Sequence, residues 1–271
     1  HLPKIRLDYL KRLTDSTGLL QHASYSVARF DEGYTTDDNA RAFLLTVLLD
    51  ESGYGDEDVR RMASTYASFL QYAFDGSGFR SVLGYDRVWR GARSDDAMGR
   101  VKRALGACVG RSTWTNLRAW AVDLFDRSLP SILDTSSPRA WASAIIGMND
   151  YLTRLGGARQ VDRVLADLTG RLVKHFHENA SGDWPWFEDV VTYDNAVLPH
   201  ALIVVVAIAE AWQLDSGNRN TDEVFALFAD QLAAREEFPQ VLSDSPFNDL
   251  PKPLVVLLDF QRAFDTHRLA S

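Results

Sequence analysis

Cysteine is almost absent from this chain. Cys108 is the only one among 271 residues, which excludes an intrachain disulfide and any metal site built on a cysteine cluster. Its setting, Arg103-Ala104-Leu105-Gly106-Ala107-Cys108-Val109, reads as that of a small core residue. A block of one charge sign is missing too. Net charge is −8, but Lys and Arg are scattered among Asp and Glu. Without a basic stripe, nucleic acid is not an expected partner. The longest apolar run, Ala201–Ala209, falls short of the ~18–20 residues that span a bilayer, so no membrane partner is expected. No secretory or lipidation signal is read at the start, and a cytoplasmic location is the expectation. Gly-x-Gly-x-x-Gly, P-loop and His-Glu-x-x-His patterns do not occur. His175 and His177 would leave a helix on different faces, and His200 reads as a core histidine. No metal and no cofactor is expected.

What the chain does have is an aromatic and acidic loop, Gly182-Asp183-Trp184-Pro185-Trp186-Phe187-Glu188-Asp189-Val190-Val191-Thr192-Tyr193-Asp194-Asn195-Ala196. An apolar helix, Ala196–Trp212, is predicted to follow it. Aromatic faces stack on sugar rings, and carboxylates bind hydroxyls or move protons. The same loop also reads as a helix entrance, with Asp194 or Asn195 as the cap and the aromatics as a lid.

The rest of the chain alternates buried with amphipathic helices. Lys4–Thr14 is a short amphipathic helix, and Leu19–Phe30 is partly extended. Thr36 or Asp37 caps a helix running through Phe43–Leu49, apolar on most sides and so expected to be buried. Asp56–Phe74 is its amphipathic partner. Arg80–Gly91 is extended. Ser94-Asp95-Asp96 opens a helix to Val109, partnered by Ser112–Phe125. Ser137-Pro138 opens Arg139–Leu155, with Pro in the favoured first turn, partnered by Ala158–Glu178. Ala196–Trp212 would pair with Thr221–Ala234. A helix-pair repeat of about 40–60 residues means a helical array. An open solenoid is one form. The form expected here is all-α, an (α/α) toroid of helix hairpins over residues 1–235, full or partial, which gathers the inner-helix N-termini at one rim. Residues 236–271 hold Pro239, Pro246, Pro251 and Pro253 and one apolar run, Leu254–Phe260, and are expected to be an irregular tail with one short helix about Leu254–Phe264.

Three stretches resemble a known family. They are Gly33-Tyr34-Thr35-Thr36-Asp37-Asp38-Asn39-Ala40-Arg41-Ala42; Ser94-Asp95-Asp96 through Gly99-Arg100 to Ala104-Leu105-Gly106; and Trp184-Pro185-Trp186-Phe187-Glu188-Asp189 through Tyr193-Asp194-Asn195-Ala196 to Leu198-Pro199. Together they are similar to bacterial helical-toroid domains that are often fused to, or labelled as, group 1 glycosyltransferases. That family is similar in layout to the (α/α)-barrel glycoside hydrolases, epimerases and lyases. The resemblance covers about residues 4–235. It implies a toroid acting on carbohydrate, often near mannoside metabolism, and a fused or associated glycosyltransferase as a partner. The chain departs from the family after residue 235, where a closing acidic and aromatic motif is missing, and at Ala97, where a small polar residue is expected.

A glycosidase needs two carboxyls across the scissile bond, one of them kept protonated. Glu188 is the preferred general acid and Asp38 the opposing base, with Asp95 and Asp189 as further catalytic candidates. Asp37, Asp96 and Asp194, the rings of Trp89, Trp184, Trp186 and Tyr193, and the guanidiniums of Arg41 and Arg100 are expected to bind substrate. In each Asp-Asp pair one residue could cap the helix while the other faces the bowl. The arginines could equally form structural ion pairs. Three classes of function follow: a glycoside hydrolase acting on oligosaccharides, mannosides among them; a non-catalytic carbohydrate-binding or accessory module of a glycosyltransferase; and a helical scaffold for protein binding.

Overall fold

The computed structural model describes residues 5–181 and 183–205. The chain divides after Leu198, and the helix pairs belong to the unit that ends there. The expected partner helix Thr221–Ala234, the second half of Ala196–Trp212, and the tail with Leu254–Phe260 lie outside the described residues.

The class is all-α, as expected, with two small antiparallel sheets. After a short helix α1 (Asp8–Leu13) come β1 (Ala23–Ser24), β2 (Val27–Ala28) and β3 (Tyr34–Thr35). Three helix pairs follow: α2 (Thr36–Glu51) with α3 (Glu57–Ala73), α4 (Asp95–Arg111) with α5 (Thr115–Ser128), and α6 (Pro138–Arg154) with α7 (Arg159–Asn179). β4 (Val82–Leu83) and β5 (Trp89–Arg90) lie between α3 and α4. The first member of each pair packs on the first member of the next, in the order α2, α4, α6, and each also packs on its own partner. Helical backbone resumes at 197. Among the described residues no helix is long and apolar enough to cross a membrane.

The α4–α6 contact is the closest. A Cβ on Gly99 would meet the Ala140 backbone, one on Gly106 the Gly147 carbonyl, and one on Gly110 the Asp150 carbonyl. Glycine at three positions on one stripe lets the two backbones touch, and dispersion contacts replace side-chain packing there. Cys108 is fully buried in α4, as read from its setting, and burial pushes its thiol up to about 12. Lys102 is fully buried on the same helix, where Nζ donates to the Phe125 carbonyl at 2.7 Å and to Ser128 Oγ at 2.6 Å.

Helix bounds fall within a few residues of those read from the sequence, but the caps differ. Thr35, not Thr36 or Asp37, caps α2; its hydroxyl accepts from the Asp38 amide. Ser94 and Ser137 do the same for α4 and α6. A hydroxyl therefore satisfies the exposed helix amide each time, which frees both acids of each pair for other work. The expected burial of α2 is also incomplete: Leu45 is 39% and Leu48 36% exposed. α2 is first in the row, so only α4 lies beside it among the inner helices described.

The entrance to α2 is held from the other side. β3 pairs with β4, and β4 with β5. The Thr36 amide donates to the Ser81 carbonyl at 2.9 Å. Gly33, at φ 67, sits where a Cβ would strike the Leu83 carbonyl. These contacts fix the first turn of α2 against the α3–α4 connection.

Candidate functional site

Counting from each cap, the second helical residue is Asp37 in α2, Asp96 in α4 and Arg139 in α6. All three reach forward to the next repeat. Asp37 accepts two bonds from Arg100 Nη1, at 2.6 and 2.7 Å, across the α2–α4 contact. Asp96 accepts from Ser137 Oγ at 2.7 Å, the cap of α6, and from the Tyr193 hydroxyl. Its neighbour Asp95 accepts from the Ser136 and Ser137 amides at 2.6 and 3.1 Å. Arg139 reaches the loop ahead of residue 197. The helix entrances are thus stitched in series by charge-assisted hydrogen bonds.

Arg139 is saturated. Its Nη1 and Nη2 each donate to one oxygen of Glu188 at 2.6 Å, Nη2 also to Thr192 Oγ1 at 2.5 Å and Asn195 Oδ1 at 3.0 Å, and Nε to the Tyr193 carbonyl at 2.8 Å. Its guanidinium lies 4.7 Å from the Tyr193 ring centroid. The Glu188 hydrogen bonds raise the arginine's pKa further above its ordinary value. With both oxygens accepting from one guanidinium, Glu188 is placed as a strut for the loop. The general-acid role expected of Glu188 would need a proton on an oxygen that here accepts from Arg139.

A cleft of about 390 Å³ opens beside this knot. α2 contributes Ala40, Arg41 and Leu44 to its wall; α4 contributes Arg100 and Arg103; the loop contributes Tyr193 and Asp194. Burial alone would lower the pKa of Arg100, but Asp37 first and Asp194 second raise it, so it stays charged. Arg100 Nη2 lies 3.3 Å from Asp194 Oδ2. Arg41 is 3.7 Å from Asp38 Oδ1, while Asp38 Oδ2 accepts from the Thr35 hydroxyl at 2.7 Å. Asp194 itself has φ 52, a left-handed conformation that Asp tolerates better than most residues. Residues that take up sparsely populated backbone conformations cluster at binding and catalytic sites.

Several predicted site residues are therefore brought together: Asp37, Arg100 and Asp194 by one guanidinium, and Asp96 with Tyr193 by the phenol. Others are not. Trp89 packs on Phe69 and Tyr72 of α3, with Arg80 stacked over its ring 4.6 Å from the centroid. Those neighbours are not lining residues of the cleft. Trp184 donates to the Glu188 carbonyl at 2.7 Å and so braces the loop. Trp186 stands edge-on to Phe187. Asp189 is exposed and makes no hydrogen bond among the described residues. Arg103 and Arg139 were missed in the sequence. Arg103 stands three residues after Arg100, the spacing that puts two side chains on one helix face. Among the described residues no group of three or more His, Cys, Asp and Glu could hold a metal ion.

No family model and no curated protein matches the chain. Among solved structures the chain is similar to a sugar epimerase from a ruminal bacterium. The TM-score is 0.54 at 13% identity, over 80% of this chain and 64% of that one. The chain spans less than two thirds of that structure, and the likeness is one of fold.

Proposed function

We propose that this chain binds carbohydrate in the cleft between α2, α4 and the 188–195 loop, and acts on it by carboxylate proton transfer. The observation that carries this reading is the cleft wall itself. An aromatic ring, Tyr193, stands next to a carboxylate, Asp194, that is held by Arg100 through one oxygen only. A ring to stack on, donors for hydroxyls and an acid with a spare oxygen make a sugar site. The fold likeness to a sugar epimerase agrees with it.

Hydrolysis is the simplest chemistry for this site. Asp38, whose cation neighbour Arg41 stands back at 3.7 Å, would give a proton to the glycosidic oxygen as the bond to the anomeric carbon breaks. Water would add to that carbon, with Asp194, held by Arg100 through one oxygen, taking the proton released on the other. Asp37, Asp95, Asp96 and Glu188 would shape the site rather than react. A second reading rests on that same commitment of acids to internal hydrogen bonds. With so few carboxylates left over, the chain would serve as a carbohydrate-binding module, in keeping with an associated glycosyltransferase.

A panel of neutral and anionic mono- and oligosaccharides, manno- and gluco-series included, followed by proton NMR and calorimetry decides between them. New reducing-end signals mean hydrolysis, an inverted ring carbon means epimerisation, and heat without turnover means binding alone. Asp194→Asn should abolish turnover and keep binding within about threefold, because Asn also accepts the left-handed conformation. No heat and no turnover with any sugar would sink the reading.

A further inference from the structure

Arg103 is the feature of the cleft that a neutral sugar does not account for. Arg100 is neutralised by Asp37 and shares Asp194. Arg41 has Asp38 at 3.7 Å. Arg103 is half-buried, lines the same cleft, and donates no hydrogen bond to any described residue. Asp194 and Asp150 act on it only at a distance, and Arg100 and Arg111 oppose them. A guanidinium presents its donors in a rigid fork that matches a carboxylate or a phosphate. Leaving that fork partly desolvated without an acceptor is unfavourable. The lining residues carry three guanidiniums against one carboxylate.

The geometry points to an anionic sugar as the ligand, a uronate or a sugar phosphate whose negative group is taken by Arg103 with Arg41 and Arg100 beside it. This rests on the carbohydrate reading and narrows it. The ring would lie toward Tyr193 and Asp194, and the anion toward the arginines of α2 and α4. The cleft volume falls in the range of small-ligand sites, ~300–1,000 Å³.

The test is calorimetry on the full chain with glucuronate, glucose 1-phosphate, mannose 6-phosphate, glucose, mannose and inorganic phosphate, each at low and high salt. The expected result is that at least one charged sugar binds tenfold or more tighter than its neutral counterpart. Its affinity should fall with salt, drop at least tenfold in Arg103→Gln, and return in part in Arg103→Lys. Preference for glucuronate over the phosphates identifies a carboxylate site, and the reverse a phosphate site. Equal binding of charged and neutral sugars, unmoved by salt, overturns the inference while the carbohydrate reading stands. Binding of inorganic phosphate without any sugar, or of nothing at all, overturns the inference, and overturns the carbohydrate reading as well where the oligosaccharides also give no heat. The salt dependence is read on the unaltered chain, so a variant that fails to fold does not blunt the test.

Discussion

Arg139 and Arg103 sit on adjacent inner helices, yet their surroundings are opposite. Arg139 donates from Nε, Nη1 and Nη2 to a carboxylate, a hydroxyl, an amide and a carbonyl, and stacks on a ring. Arg103 donates to nothing described. The first arrangement is closed: any ligand there must displace a bond already made. The second is open: a ligand would supply what the protein does not. The difference separates a charged group that builds the site from one that is available to it, and composition alone cannot make that separation.

The sharpest way to break the comparison is Arg139→Met. Its side chain is 9% exposed and that of Glu188 23%. Removing one partner of a buried pair leaves the other uncompensated, a loss of about 3 kcal/mol. Urea denaturation should show that loss, together with a looser 188–195 loop in hydrogen exchange. A change below about 0.5 kcal/mol, the level of an ordinary surface substitution, would mean that the knot contributes nothing to stability. Next in size is Gly106→Val. The added side chain must push α4 from α6, the two helices that carry Arg100 and Arg139, at about 2–3 kcal/mol for overpacking. An unchanged denaturation midpoint would contradict the backbone-to-backbone contact.

Arg100→Gln and Arg103→Gln bring the comparison inside the cleft. Arg100 Nη1 donates to both oxygens of Asp37, which is one-third exposed, so its loss should cost about 1–2 kcal/mol, discounted for solvent screening. Arg103→Gln should change stability by less than about 0.5 kcal/mol, or raise it, because an unneutralised charge is removed. If Arg103→Gln destabilises as much as Arg100→Gln, then Arg103 has a structural partner and the contrast drawn here fails.

Much of this was legible in the sequence. The alternation of buried and amphipathic segments located the three helix pairs among the described residues, because burial on one face leaves a periodic trace. The acids at the helix entrances lie where the bonds between successive repeats are made. What was not legible is where those acids point. Sequence spacing does not say whether Thr35 or Thr36 caps α2, and one residue of phase decides whether Asp37 caps its own helix or reaches Arg100. Arg139 escaped notice because it breaks the pattern. It stands where the earlier repeats have Asp37 and Asp96, and only its match to Glu188 gives the reversal meaning. Trp89 was placed in the bowl because a strand residue's facing depends on hairpin register, which the sequence of Arg80–Gly91 does not fix.

The same contrast between satisfied and unsatisfied buried groups sets the last and smallest effect, the alkaline pH dependence of stability. Lys102 and Cys108 are both fully buried in α4. Burial pushes the Lys102 amine well below its ordinary 10.5, with Asp126 of α5 opposing only in part. Between the folded and unfolded values the unfolded chain binds more protons, so this lysine's contribution grows as pH rises toward 10.5 and is lost as pH falls. Cys108 acts in the other direction. Its thiol is pushed up from 9 to about 12, so the folded chain keeps a proton the unfolded chain gives up, and stability falls above pH 9. Tyr34, raised to about 12 by burial and by Asp15, adds to that fall above pH 10. Melting temperatures from pH 7 to about pH 11, taken as differences between each variant and wild type, isolate the two groups. Wild type should gain on Lys102→Met as pH rises through this window, and Cys108→Ala should gain on wild type above pH 9. A Lys102→Met difference that is flat with pH would show that the amine stays charged inside the helix pair. Its two acceptors, the Phe125 carbonyl and Ser128 Oγ, would then be solvating an ammonium rather than a neutral amine.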